Sequence, residues 1–365
     1  MPVSISGTNG VTFPDSSLQA AAASPNVLKN RIINGDMRID QRNAGSSVTS
    51  GYPVDRFQVY STQSSKWTAQ QSTTAPTGFK NSVVITSTSA FTPASGDYFS
   101  FTQRIEGYNV ADFMFGTASA STFTVSFWVR SSLTGTFGGA LHNNAFNRVY
   151  AFSYTINAAN TWEQKTVTIA GDTTGTWTTD NSVGLEIGFA FSVGSSGLAT
   201  AGSWSGTSSI FSATGQTNLL GTNGATFYIT GVQLEIGTSA TPFERRLYDK
   251  ELVSCQRYYY KWINNSGSSK YNIILQAYSS SGAFGKLFDL PVTMRSQPTA
   301  TASGTFTAIS ANGTLMTAFS GKNVNSTTTQ TIATDGWTGS SGLVAGNCTI
   351  LDVANNAYIE VSAEL

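Results

Sequence analysis

The chain has 365 residues, room for two domains of ordinary size, and its 40% hydrophobic and 12% aromatic content excludes a disordered chain. Only 11% of residues are charged, with Lys plus Arg and Asp plus Glu equal at 20 each, so no net field draws in nucleic acid or an anionic membrane. The start MPVSISGTNG lacks the basic and apolar regions of a secretion signal, and no apolar run reaches the ~20 residues of a membrane helix; synthesis in the cytoplasm without membrane insertion is expected.

Residues 1–29 read as short polar strands and turns, including TNG and FPDSS, followed by the run LQAAAAS. Such a segment builds no core alone and has to pack on other chains or on a larger body. From residue 30 onward, period-2 alternation dominates. STFTVSFWVRSS sets Phe123, Val125, Phe127 and Val129 on one face and Thr124, Ser126, Trp128 and Arg130 on the other. RVYAFSYTI groups Tyr150, Phe152, Tyr154 and Ile156, and VGLEIGFAF groups Leu185, Ile187, Phe189 and Phe191. Further strands are predicted at RIINGDMRI, RFQVY, KWTAQQ, SVVITS, YFSFTQRI, TWEQKTVTIA and TFYITGVQLEI, with helical character only at GYNVADF. Many short strands at regular spacing predict a jelly-roll sandwich over 30–246.

The stretch ATPFERRLYDKELVSCQRYYYKW then crowds charges and tyrosines together. Its mixed signs predict a joint between domains or subunits, built on Glu244, Arg245, Arg246, Asp249 and Arg257, and not a phosphate site. Pro242 and Phe243 end the preceding strand, Asp249 is the expected N-cap of a short helix, and Glu251 stands in its first turn. Leu252, Cys255 and Tyr259 form its apolar stripe. Beyond Trp262, YNIILQAY, GKLFDLPVTM, TASGTFTAIS, GTLMTAFS, TQTIAT, NCTILDV and AYIEVSAEL predict a smaller second sandwich, with loops such as NNSGSSK and DGWTGSSGLVAGN. The fold class is all-β: a jelly-roll β-sandwich and a smaller C-terminal β-sandwich, preceded by the N-terminal segment and joined by a connector helix.

The chemistry that would make an enzyme is thin. His142 is the only histidine, which leaves too few ligands for a histidine zinc site and no accompanying nucleophile elbow; it reads as a solvated or hydrogen-bonded loop-edge residue. Cys255 and Cys348 are too few for a disulfide framework or a thiolate metal site and are expected as buried free thiols. Asp97, Glu106, Asp112 and Glu186 could supply the two carboxylates of a glycosidase, but spacing along a β chain does not pair them. No catalytic residue, metal or cofactor is assigned.

Binding candidates lie off the core. Trp128 and Arg130 oppose one core stripe, Glu186 opposes another, and alternation puts Arg104 opposite Phe101 and Ile105. An aromatic surface flanked by charged hydrogen-bonding groups suits a sugar ring; a face packed under a covering loop or a neighbouring subunit suits the same pattern. Trp337, in a glycine-rich loop, is a further stacking candidate or a loop anchor, as are Trp177 and Trp204.

Several stretches resemble bacteriophage tail-fibre and tail receptor-binding proteins: SISGTNGVTFPDSS, NRIINGDMRIDQRN with YPVDRFQVY, FTVSFWVRSSLTGTF, YTINAANTWEQKTVTIAGDTTGTW and FYITGVQLEIGTSATPFERRLYDKELVSCQRYYYKW. The C-terminal part resembles fibre tips only through LPVTMRSQPTATASGTF. The middle region is also similar to carbohydrate-binding-module jelly rolls, whose first strand carries an NGDFE-like motif, here Asn34-Gly35-Asp36-Met37-Arg38. Where those modules place acidic calcium ligands this chain has Arg38 and Thr230-Gly231, so the resemblance extends to the fold and not to the ion. The resemblance implies a virion tail component, a homotrimer as a family trait, that recognises bacterial surface polysaccharide or lipopolysaccharide. On that reading residues 1–29 contact other phage tail proteins, 30–246 form the jelly roll, and 247–365 hold the connector and distal sandwich. Two rivals stay open: a purely structural decoration or spacer protein, and a polysaccharide depolymerase.

Overall fold

Apolar residues at every second position favour a strand that turns one face inward, while its backbone groups pair with neighbours. The computed structural model describes residues 4–6, 10–12, 18–19, 28–265, 273–309, 315–324 and 326–365, and follows that rule. In the strand Phe123–Ser131, Phe123, Val125, Phe127 and Val129 are fully buried, while Trp128 and Arg130 are half-buried on the other face. Strands Val149–Ile156 and Val183–Val193 bury their predicted stripes in the same way.

Two antiparallel sheets result. A five-stranded sheet runs in the order Glu163–Ile169, Phe123–Ser131, Thr226–Ile236, Ser82–Ser87, Trp67–Ser72. A seven-stranded sheet has Val183–Val193 at its centre, between Gly135–His142 and Tyr98–Glu106. The chain passes repeatedly from one sheet to the other, as a jelly roll requires. Their inner faces interlock through aromatic pairs, Phe127 with Phe189 at 4.9 Å and Phe191 with Phe227 at 5.1 Å between ring centroids. Each such buried ring is worth roughly 1.5–3 kcal/mol in area removed from water.

The alternation rule fails where a second layer covers the outside. Val183–Val193 is buried on both faces from Gly184 onward. Residues 195–213 fold over this sheet, and Ile210 joins Ala140, Val149 and Ala151 in a small separate core. The segment RIINGDMRI is not a strand. Asn34 and Met37 take left-handed backbone angles, with φ of 59° and 58°, and Gly35 sits so close to the Val232 carbonyl that a side chain would collide.

The C-terminal part forms a second sandwich, with its own core. A three-stranded sheet, Tyr259–Ile263, Tyr358–Ser362 and Thr299–Ser303, faces an eight-stranded one, and Ile359 and Val361 share a cluster with Leu275, Leu351 and Trp337. Three short strands, Ser4–Ser6, Gly10–Thr12 and Leu18–Gln19, pair near the start. The FPDSS turn, the alanines at 20–23 and most of the NNSGSSK loop lie outside the described residues.

The connector contains the helix Tyr248–Gln256. Its N-cap is Leu247, without a side-chain cap, and Asp249 is an exposed first-turn residue, not the cap. Tyr259 begins the next strand instead of extending the helical stripe. Cys255 is buried, as expected, but Cys348 is exposed at the start of Cys348–Val353; both are free.

Ion pairs and hydrogen bonds fix the second sandwich to the jelly roll. Arg257 grips Glu106 through two bonds of 2.9 Å, and the Tyr258 hydroxyl donates to the same carboxylate. Glu364 accepts from Arg42 at 2.8 Å and also pairs with Arg56, while Arg42 reaches Asp55 at 3.2 Å. Arg295 Nη1 donates to the Asn181 carbonyl at 2.8 Å. Of the predicted joint residues, Arg257 makes this contact directly. Glu244 accepts from the backbone N–H groups of Lys29 and Asn30, Arg246 donates to the Ile32 carbonyl, and Arg245 lies over the Phe79 ring at 4.4 Å. Asp249 takes no part; its nearest cation is exposed Lys250 at 3.9 Å.

Asp55 is fully buried, and the desolvation of its carboxylate outweighs the opposing pull of Arg42 and Gln41, raising its pKa from 3.8 to about 6. Because the folded value lies above the unfolded one, this group's stabilising contribution is complete below about pH 4 and is lost as pH rises through about 6. Urea midpoints taken across that window are expected to fall less with rising pH in Asp55→Asn than in the wild type; parallel profiles would contradict the assignment.

Candidate binding face

The outer face of the five-stranded sheet carries a row of half-buried aromatic rings. Alternation directs Trp128 and Arg130 outward from Phe123–Ser131, and Tyr228 outward from Thr226–Ile236 between buried Phe227 and Ile229. Tyr228 is the cross-strand partner of Arg130, and Thr230 that of Trp128, so the two rings stand diagonally adjacent. Trp162 meets Tyr228 edge-on at 6.1 Å. Arg130 lies 5.1 Å from the Tyr228 ring centroid, and its Nε donates to the Asn160 carbonyl at 2.9 Å.

A bulge between Thr230 and Gln233 extends the row. Gly231 there has φ of +61°, and a Cβ on it would stand 2.7 Å from Phe79 Cζ and 3.0 Å from Trp128 Cδ1. Two rings therefore close over bare backbone that no other residue permits. Phe79 in turn packs against Phe243 at 5.2 Å, with Arg245 over both rings. The result is a ridge running from Trp162 through Tyr228, Trp128 and Phe79 to Phe243, bordered by Arg130 and Arg245.

The rest of this face is closed. Residues 237–244 fold back across it: Thr241 N–H donates to Glu235 Oε1 at 2.8 Å, Glu244 N–H to Gln233 Oε1 at 2.7 Å, and Thr124 Oγ1 to the Gly237 carbonyl at 2.8 Å. Thr124, Ser126, Gln233 and Glu235 are buried beneath this strap. The covering-loop reading thus holds for one half of the face, and the aromatic ridge occupies the other.

The four predicted off-core residues do not share a surface. Trp128 and Arg130 belong to the five-stranded sheet, whereas Arg104 and Glu186 are cross-strand partners on the seven-stranded sheet. Arg104 Nε donates to Glu186 Oε2 at 2.7 Å, and its Nη1 to the Leu365 carbonyl at 2.9 Å. With Glu186 only 4% exposed, this pair ties the sheet to the end of the second sandwich. Trp337 is wholly buried, edge-on to Phe306 at 4.9 Å and to Phe319 at 5.6 Å, inside the strand Thr331–Thr338. It is core, not a loop platform. Trp177 and Trp204 are half-buried anchors whose indole N–H groups donate to the carbonyls of Thr174 and Ala170.

The carboxylates considered for hydrolysis are dispersed among structural tasks. Glu106 binds Arg257, Asp112 pairs with Arg31 at 2.6 Å, and Asp97 accepts from Thr62 Oγ1 at 2.7 Å. His142 is buried, with Nε2 at 2.6 Å from the Ile210 carbonyl, and burial holds its pKa below the usual range. Asp36 pairs with Arg38 Nε at 2.5 Å, and no group of three or more His, Cys, Asp or Glu that could hold a metal occurs among the described residues. No helix among the described residues is long and apolar enough to cross a membrane.

No family model matches the chain, and no curated protein matches it. Among solved structures it is similar to the enzymatically active domain of a tailspike protein of bacteriophage CBA120, at 16% identity and a TM-score of 0.31, over 57% of this chain and 21% of that one. It is also similar to a family 11 carbohydrate-binding module of a Clostridium thermocellum cellulosomal cellulase, at 12% identity and a TM-score of 0.29, over 55% of this chain and 99% of the module. A third, TmCBM61 in complex with β-1,4-galactotriose, has 9% identity and a TM-score of 0.30, over 57% and 99%.

If Trp337 is a core residue, Trp337→Ala is expected to lower unfolding free energy by about 3–5 kcal/mol in urea titrations. A change within about 0.5 kcal/mol, as for an exposed residue, would reject the assignment.

Proposed function

We propose that this chain is a phage tail-fibre-type protein that recognises the bacterial surface by binding glycan on the aromatic ridge of its jelly roll. The observation that carries the reading is the row Trp162, Tyr228, Trp128 and Phe79, left half-exposed beside Arg130 while the remainder of the same face is sealed by the 237–244 strap. Aromatic rings offer the apolar faces of sugars a stacking surface, and Arg130 offers directional donors at its edge. The neutral, Ser/Thr/Gly-rich composition supports an external protein, and the tail-fibre-like stretches supply the setting.

On this reading residues 1–29 attach to other tail proteins, 30–246 bind, and 247–365 form the distal body, with three copies per fibre in the virion tail. Weak binding at each site is then sufficient, because linked sites raise the effective concentration. No hydrolysis is assigned, since the carboxylates on the jelly roll are engaged in separate ion pairs and hydrogen bonds.

The test is adsorption of the full chain to a panel of bacterial strains and to polysaccharide extracted from those that bind. Trp128→Ala combined with Tyr228→Ala is expected to weaken binding by about 2 kcal/mol, on the order of 30-fold, in a chain that still unfolds cooperatively well above the assay temperature. No adsorption by the unmodified chain would favour a spacer, undiminished adsorption by the double variant would move the binding off the ridge, and steady release of reducing ends from the polysaccharide would favour a depolymerase.

A further inference from the structure

A second surface stands apart from the ridge, where the three-stranded sheet meets the jelly roll. It is a groove of about 430 Å³, within the roughly 300–1,000 Å³ range of ligand sites. Its floor is the polar face of the three-stranded sheet. The register aligns Lys261 with Glu360 and Thr301, and Tyr259 with Ser362 and Thr299, while the alternate residues Ile359 and Val361 are buried in the core behind. Arg42 and Tyr52 of the jelly roll form the facing wall.

The charges of the groove are not evenly matched. Arg42 is held by Asp55 and Glu364. Glu360 is turned to the Tyr259 hydroxyl at 2.7 Å and the Thr301 hydroxyl at 3.1 Å. Lys261 donates to the Arg42 carbonyl at 3.2 Å and lies 4.3 Å from the Tyr358 ring centroid, and no ion pair of it with a carboxylate occurs among the described residues. The Lys261 ammonium therefore sits amid three tyrosines and a set of aliphatic hydroxyls with no ion pair of its own among the described residues, beside a cross-strand Glu360 whose carboxylate is turned to hydroxyl donors.

The geometry points to a binding site for an acidic saccharide, a sugar carrying a carboxylate such as a hexuronic acid. The carboxylate takes the charge-assisted bond from Lys261; tyrosine rings and the Thr299, Thr301 and Ser362 hydroxyls serve the ring and its hydroxyl groups. A phosphate would call for a denser cationic cluster than Lys261 beside an already paired Arg42, and a neutral sugar would leave Lys261 without an ion pair. The site stands on its own lining and does not depend on the ridge.

Calorimetric titration of the full chain with a panel of galacturonic, glucuronic and mannuronic acid trisaccharides tests it, with neutral galactotriose as the comparison. At least one acidic trisaccharide is expected to bind, more weakly as salt rises, and galactotriose is not expected to compete for it. Lys261→Gln should weaken that binding about tenfold or more, and Thr301→Trp, which fills the groove and leaves Lys261 in place, should abolish it. Trp128→Ala should leave it unchanged, so a failure of the ridge reading and a failure of this one give different results. Absence of binding across the acidic panel, equal affinity for galactotriose, or full retention in both groove variants would overturn the proposal.

Discussion

The carboxylate of Glu364 is the constraint on which the arrangement of the two sandwiches rests. It lies between Arg42 and Arg56, and Arg42 reaches on to Asp55. Arg56 is only 3% exposed, has φ of 71°, and presents its guanidinium 3.5 Å from the Tyr258 ring centroid. Burying such a set gains little net stability over an apolar equivalent, but removing one partner strands the others and costs roughly 3–5 kcal/mol. The cluster therefore acts more on geometry than on overall stability: one arrangement gives Glu364 both of its arginines, and a displaced sandwich keeps only the Arg42–Asp55 pair within the jelly roll.

That geometry creates the groove. Tyr259 and Lys261 follow directly from the connector, and Gln41 Nε2 donates to the Tyr259 carbonyl at 2.9 Å, so the sheet floor and the Arg42 wall are registered by the same local bonds. The ridge depends on a different device. Gln233 and Glu235 would be costly buried polar groups without partners, and the strap supplies them through Thr241 and Glu244. The strap continues into Phe243 and Arg245, which complete one end of the ridge, and into Arg246, which holds the 30–32 segment.

Much of this was legible in the sequence, and the gaps have physical reasons. Period-2 alternation reports which residues point inward, so the stripes of Phe123–Ser131 and Val149–Ile156 were readable. It does not report which sheet a strand joins, and so Trp128 and Arg104 looked like neighbours although they lie on different sheets. Trp337 was misread because glycines on either side imitate a loop, whereas Gly336 and Gly339 sit within and at the end of a strand whose tryptophan fills a core. Phe79 and Phe243 lay outside every predicted strand, Trp162 stood at the start of the predicted strand TWEQKTVTIA, and Tyr228 was marked by its place between Phe227 and Ile229. Arg257 was found because its neighbourhood is locally crowded with charge. Glu364 was not, because its partner Arg56 is 308 residues away.

The scarcity of charge sharpens the function of the few charged residues that remain. With 40 charged side chains in 365 residues, many of those described are consumed in ion pairs that hold segments together. A surface of hydroxyls, amides and rings offers short-range contacts, which salt barely screens, while an ammonium outside any ion pair adds an interaction that salt does screen. On the two proposed readings the ridge and the groove differ in kind as well as in place: one offers ring faces across a flat sheet, the other an ammonium held in a cleft. A polymer of alternating neutral and acidic sugars could engage both, and two weak contacts on one rigid chain would then combine through effective concentration, provided that the ion cluster around Glu364 keeps them in fixed relation.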